Sequence, residues 1–111
     1  MLEITDDEKN GIAILRLKGR LDATSVPALD LRLSEKVEEG NNKIVLDLRK
    51  LDYLSSAGMR LLLGYTKKLK NNGGTLNMFG PVKEILEIIK MGGFEQILQI
   101  FNDEQDALDI P

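Results

Sequence analysis

The sequence predicts one α/β domain over residues 1–111: a mixed, mostly parallel sheet of about five strands with about four helices packed on it. Three observations carry this expectation. Short apolar or alternating runs recur between segments whose apolar residues step by three and four. Clusters of Gly, Asn and Pro mark each change of period. The chain of 111 residues, 42% hydrophobic and 30% charged, has no linker, internal repeat or low-complexity stretch, which suits one domain with one core.

The elements follow in order. Leu2 and Ile4 alternate with polar residues, as in a short half-buried strand. Asp6 to Gly11 (DDEKNG) is a turn cluster with Asn10-Gly11 as its strongest signal. Ile12, Ile14, Leu15 and Leu17 form the antiparallel partner strand, ending near Gly19. Ser25 is placed to cap a helix through its hydroxyl, with Pro27 in the first turn, and Val26, Leu29, Leu33 and Val37 make one stripe. Gly40-Asn41-Asn42 ends that helix, and Lys43 to Leu48 (KIVLDL) is a strand buried on both faces. The second helix spans Ser56 to Asn72, with Gly58, Leu61, Leu62, Tyr65 and Leu69 on its core face. Thr75 to Phe79 is the fourth strand. Gly80-Pro81 opens a third helix with Pro near its first position, and Val82, Ile85, Leu86 and Ile89 form its stripe. Ile97 to Phe101 is the last strand and Asp103 to Leu108 a short terminal helix with acidic residues in its first turn.

Composition excludes several functions. The formal net charge of −3 leaves no basic footprint for nucleic acid and no polybasic patch for an anionic membrane. The longest apolar runs, such as Leu61 to Leu63, are far too short to insert in a bilayer, and the polar opening MLEITDDEKN is no signal peptide, so the expectation is a cytoplasmic protein. There is no cysteine and no histidine. That removes disulfides, zinc sites built on those residues, and the usual Ser-His and Cys-His catalytic pairs. An enzyme with Ser56 as nucleophile, Asp22 assisting and Lys50 as base lacks any Gly-x-Ser-x-Gly elbow, and the expectation is no enzyme. The carboxylates Asp103, Glu104, Asp106 and Asp109 lack calcium-loop spacing and are expected to form a solvated helix face; no cofactor or metal is expected.

The sharpest segment is Leu48 to Leu63 (LRKLDYLSSAGMRLLL), a buried strand running through a loop into a helix that starts at Ser55-Ser56. Ser55 suits the N-cap, which places Ser56 in the first turn. Two readings stand: both serines merely cap the helix, or Ser56 carries a phosphate that the helix N-terminus tolerates and that alters what can dock. Met59, Leu63 and Thr66 lie on a stripe away from the core face, read either as a partner-docking surface or as packing under a neighbouring element. Arg60 is read either as a group near such a phosphate or, as the simpler expectation, as a solvated helix arginine, and Asp47 either as an inward polar residue of its strand or, as the safer expectation, as a strand-end aspartate bonding loop N–H groups.

Tyr53-Leu54-Ser55-Ser56-Ala57-Gly58-Met59-Arg60 resembles the signature of the STAS domains, the fold shared by bacterial anti-sigma factor antagonists and sulfate-transporter tails. The likeness extends over nearly the whole chain, through Gly19-Arg20-Leu21-Asp22, Leu46-Asp47-Leu48, Gly73-Gly74-Thr75-Leu76, Met91-Gly92-Gly93-Phe94 and Phe101-Asn102-Asp103-Glu104. The resemblance implies an antagonist that binds an anti-sigma factor with serine-kinase activity, releases a sigma factor, and is inactivated by phosphorylation. It places the acceptor two residues before Gly58, at Ser56, with Ser55 as a minor alternative. Many bacterial antagonists carry Asp where this chain has Ser55, which bears on kinase recognition. The resemblance further implies a PP2C-type phosphatase as second partner, Asp22 near the acceptor, where it would accept a hydrogen bond from Ser56 or repel an added phosphate unless it is simply a loop aspartate near the Ser25 helix start, and a docking surface of Asp22, Ser55, Ser56, Met59, Arg60 and Leu63. A monomer is the simplest expectation. The alternative within the same fold is a non-switching STAS subunit of a lipid-transport or stress-signalling complex.

Overall fold

A computed structural model describes residues 1–110. Five strands form one sheet: β1 (Leu2–Lys9), β2 (Ile12–Leu21), β3 (Lys43–Leu54), β4 (Thr75–Phe79) and β5 (Gln99–Phe101). Four α-helices accompany them: α1 (Val26–Glu38), α2 (Ser56–Asn71), α3 (Lys83–Met91) and α4 (Glu104–Leu108). The strands lie in chain order, β1 antiparallel to β2 and every later pair parallel. Each parallel strand is added on the same side of its predecessor. A constant right-handed crossover then sends every connecting helix to one face of the sheet. Packing agrees: α1, α2 and α3 contribute Leu29, Leu33, Leu62, Tyr65, Leu69, Ile85 and Ile89 to one cluster with Leu15, Leu17, Leu46 and Leu48. On the opposite face α4 places Ala107 and Leu108 against Ile12, Ile14, Val45 and Phe79. Residues Ile44 to Leu48 are buried on both faces, as their continuous apolar pattern requires.

Several boundaries differ from expectation, each for a physical reason. β1 runs on through Asp6, Asp7 and Glu8, so the turn shrinks to Asn10 and Gly11, both at positive φ (55° and 76°). Charged residues suit an edge strand, and here Asp7 pairs with Arg16 at 2.7 Å while Asp6 pairs with Arg32 of α1. β2 passes through Gly19 to Leu21. A side chain at Gly19 would meet the Met1 carbonyl at 2.4 Å, and φ there is 111°. β3 extends to Leu54, over six residues expected as loop. Register shifts between Arg16 and Lys18 and between Gly19 and Arg20 space the inward residues Leu48, Leu51 and Leu54 three apart, which hides the strand period of two.

Ser25 does not cap α1 through its hydroxyl. Its backbone is already helical (φ −99°, ψ −14°), and its Oγ donates to the Arg20 carbonyl at 2.7 Å and accepts from the Asp22 N–H at 3.0 Å. Pro81 lies before α3 rather than in its first turn, and Val82, the N-cap, is on the surface rather than in the stripe. The last strand begins at Gln99 rather than Ile97, because the N–H groups of Ile97 and Leu98 close the 3-10 turn Phe94–Gln96 by donating to the Phe94 carbonyl at 3.0 and 2.9 Å. Asp47 is mid-strand and buried, and it bonds the Arg49 N–H at 3.0 Å and the Arg16 and Arg49 guanidiniums.

Candidate functional site

The candidate site forms where β2 and β3 end together. Leu21 and Leu54 are register partners, and the ladder continues one step further through the Ser55 N–H, which donates to the Leu21 carbonyl at 2.9 Å. From here the chain turns one way into residues 22–25 and the other way into α2.

Ser55 and Ser56 have distinct roles. Ser55 is extended (φ −87°, ψ 171°) and its Oγ accepts from the Gly58 N–H at 3.2 Å, a side-chain N-cap as expected. Its carbonyl accepts from the Met59 N–H at 2.9 Å. Ser56 is therefore released from capping. It is exposed in the first turn, and its hydroxyl has no hydrogen-bond partner among the described residues. The unpaired N–H groups and partial positive charge of a helix start favour an anion beside it.

Gly58 brings α2 down onto the strand ends. A Cβ there would lie 2.8–2.9 Å from Leu21 Cγ, the Leu21 carbonyl oxygen and Leu54 Cδ1. The glycine thus sets the height at which Ser56 stands above the sheet edge.

Asp22 lies at the same edge, but its carboxylate serves its own loop. Oδ1 accepts from the Thr24 hydroxyl at 2.7 Å, the Thr24 N–H at 3.1 Å and the Ser25 N–H at 3.2 Å. The Thr24 hydroxyl leads the interactions that hold the Asp22 carboxyl below the usual carboxylate range. Arg20 approaches the other oxygen at 3.7 Å and stacks on the Tyr53 ring, 4.0 Å from its centroid. The expected hydrogen bond from Ser56 to Asp22 is not formed. Asp22 instead gives the rim of the site a fixed negative charge.

The stripe Met59, Leu63 and Thr66 is not an exposed surface. Met59 is 4% and Thr66 5% exposed, with the Thr66 hydroxyl donating to the Leu62 carbonyl at 2.7 Å; Leu63 is half-buried. Met59 belongs to the main core cluster and α2 packs on β3 and β4, while α3 and the 3-10 turn stand beside α2. Between them runs a groove of about 330 Å³ lined by Leu54, Met59 and Leu63 with Ile88 and Phe94 opposite, and Ser56 and Arg60 also border it. Ile88 is 40% exposed. Sequence reasoning missed Ile88 and Phe94. Ile88 carried a signal, since it is an isoleucine off the Ile85–Ile89 stripe of an amphipathic helix.

A second charged cluster lies on the other face. Arg16 reaches Asp7, Asp47 and Glu104 at 2.7–2.9 Å, and Glu104 also pairs with Lys9. Glu104 is therefore an anchor of α4 to the sheet, not part of a solvated helix face. Hydrogen bonds from Arg16, then Lys9, hold its carboxyl below the usual range. Burial pushes the Asp47 carboxyl up, but its bonds to Arg49 and Arg16 outweigh this and hold it low. No helix among the described residues is long and apolar enough to cross a membrane.

The STAS domain model matches residues 3–107, and the chain belongs to the STAS-domain family. Within that family its similarity is to the anti-sigma factor antagonists. BtrV of Bordetella bronchiseptica, assigned as one, is 31% identical over 106 residues, covering 96% of this chain and 91% of BtrV. Two solved structures share the fold. An anti-sigma factor antagonist from Mycobacterium paratuberculosis superposes with a TM-score of 0.84 at 21% identity, covering 97% of this chain and 92% of that one. The Bacillus cell-fate determinant SpoIIAA in its phosphorylated form superposes with a TM-score of 0.73 at 20% identity, covering 96% and 97%.

Proposed function

We propose that this chain is an anti-sigma factor antagonist that binds an anti-sigma factor with serine-kinase activity, frees the sigma factor, and is switched off by phosphorylation of Ser56. One observation carries the reading: Ser55 caps α2, so Ser56 stands exposed at a helix start with a hydroxyl that the fold does not use. In the bound complex the Ser56 oxygen forms the new bond to the γ-phosphorus of ATP. ADP leaves with the electron pair of the broken bond, and the hydroxyl proton passes to a base on the kinase. The added charge of about −1.5 to −2 sits beside an apolar groove that must be dry in the complex. A penalty of about 3 kcal/mol weakens binding by roughly a hundredfold. A PP2C-type phosphatase restores the active form. This chain contributes docking groups and the acceptor, and the catalytic groups belong to the enzymes that act on it.

The groove supplies the apolar part of the docking surface. Ile88→Ser is expected to weaken partner binding at least about tenfold while leaving stability within about 1 kcal/mol, because Ile88 is partly exposed. Unchanged affinity by calorimetry would remove the groove from the interface.

The deciding experiment is mass spectrometry after incubation with the cognate kinase and ATP, with binding measured for wild type, Ser56→Ala and Ser56→Asp. Phosphate on Ser56 and loss of binding only in Ser56→Asp are expected. No phosphate, with Ser56→Asp still binding, would favour a non-switching subunit of a lipid-transport or stress-signalling complex. The presence of Ser55 where many antagonists carry Asp is the feature that keeps this second reading in view.

A further inference from the structure

Arg60 stands apart from the other arginines of this chain. Arg16, Arg20, Arg32 and Arg49 each have a carboxylate within 4.0 Å. Arg60 has no ion-pair, hydrogen-bond or ring partner among the described residues. It is exposed, and it is the one charged residue lining the groove beside α2, with Ser56 on the same lining. No carboxylate borders that groove to compete for it.

Its position relative to Ser56 is fixed by the helix. Both lie in α2 (Ser56–Asn71), four residues apart, so their Cβ atoms stand about 6 Å apart on one face. An anion placed N-terminal to a cation at this spacing is the favourable order on a helix. The reach of a phosphoserine and the planar fork of an arginine suit paired N–H···O bonds across that gap. Arg20, the other arginine at this edge of the sheet, is already stacked on Tyr53 and near Asp22.

We infer that Arg60 is an internal latch for the phosphate: once Ser56 is phosphorylated, the Arg60 guanidinium closes onto it within the same helix. The inference rests on the reading of Ser56 as the acceptor. The latch has two consequences. It holds the phosphate over the groove mouth rather than free in solvent. It also removes from the docking surface the one cation that lines the groove among the described residues, so phosphorylation both adds a negative charge and withdraws a positive one.

The test needs neither kinase nor partner, so its outcome is separable from whether the cell phosphorylates Ser56. Phosphoserine is installed at position 56 during translation in wild type, Arg60→Gln and Lys67→Gln. Lys67 is an exposed cation further along α2, and its loss changes net charge equally. Phosphorus NMR over pH 4 to 8 reads the second phosphate ionisation. Arg60→Gln is expected to raise that pKa by about 0.3 to 0.5 relative to wild type, and Lys67→Gln to leave it within about 0.1. Arg60→Lys should restore part of the difference. The Arg60 Nε–H resonance should also move when phosphoserine replaces serine. Equal pKa values in wild type and Arg60→Gln, or an equal rise in Lys67→Gln, would overturn the latch.

Discussion

Two adjacent serines divide the work at the start of α2, and the division is measurable. Ser55→Ala removes the side chain that accepts from the Gly58 N–H, and is expected to cost about 1 kcal/mol in urea unfolding. Ser56→Ala removes a hydroxyl without a partner among the described residues and should stay within about 0.5 kcal/mol of wild type. If the two losses were reversed, Ser56 would be the structural serine and the switch would lose its basis. Gly58 gives a sharper sign test. In an open helix Gly→Ala gains about 1 kcal/mol. Here the new methyl would meet the Leu21 carbonyl at 2.9 Å and two leucine side chains, so Gly58→Ala should instead lose about 1 to 3 kcal/mol.

The helix α2 is held at its start, beneath by β3 and β4, and on one flank by α1. Its N-terminus presses on the ends of β2 and β3 through Gly58. Its Met59 side borders the groove that Ile88 of α3 also lines, and its Tyr65 side meets α1. The Tyr65 hydroxyl donates to Asp30 Oδ1 at 2.5 Å, and burial together with Asp30 pushes the Tyr65 phenol up to about 12. Tyr65→Phe keeps the ring packing and removes this link between helices, with an expected loss of about 1 kcal/mol on thermal unfolding. An unchanged midpoint would show that the bond merely replaces one to water. On the proposed reading a phosphate on Ser56 acts through surface charge rather than through refolding, because Ser56 is exposed and its hydroxyl holds nothing in place among the described residues.

Across the whole molecule, the ion-pair cluster of Arg16, Asp47, Glu104, Asp7 and Lys9 ties α4 to the face of the sheet that the larger helices leave uncovered. Asp47 and Glu104 both ionise at lower pH in the folded chain than their ordinary values. Folding therefore favours their charged forms. Their contribution is fully present above the ordinary carboxylate range, about pH 4 to 5, and is lost as the pH falls through the folded values. Between pH 7 and pH 3 wild type should lose more of its thermal midpoint than Glu104→Gln, which lacks one of these groups. Parallel pH profiles would show that the cluster adds nothing to folding. The site lies at the strand ends beside α2 and does not share these residues, so Glu104→Gln should leave partner binding unchanged.

Periodicity and capping act over a few residues, so the alternation of strands and helices, the parallel order after the first hairpin and the Ser55-Ser56 helix start were all legible in the amino-acid sequence. It could not show that β3 continues to Leu54, because the register shifts against β2 stretch the inward spacing from two residues to three. It also left open whether Met59, Leu63 and Thr66 are surface or packing. That depends on packing between elements distant in the chain: α2 lies on β3 and β4, and α3 and the 3-10 turn stand across a groove from it. The same arrangement brings Ile88 and Phe94 opposite Leu63 and leaves a groove whose one charged group is Arg60. Asp22 and Ser56 do reach one sheet edge, as parallel neighbours should, but the hydrogen bond between them depended on a loop whose own N–H groups claim the Asp22 carboxylate first.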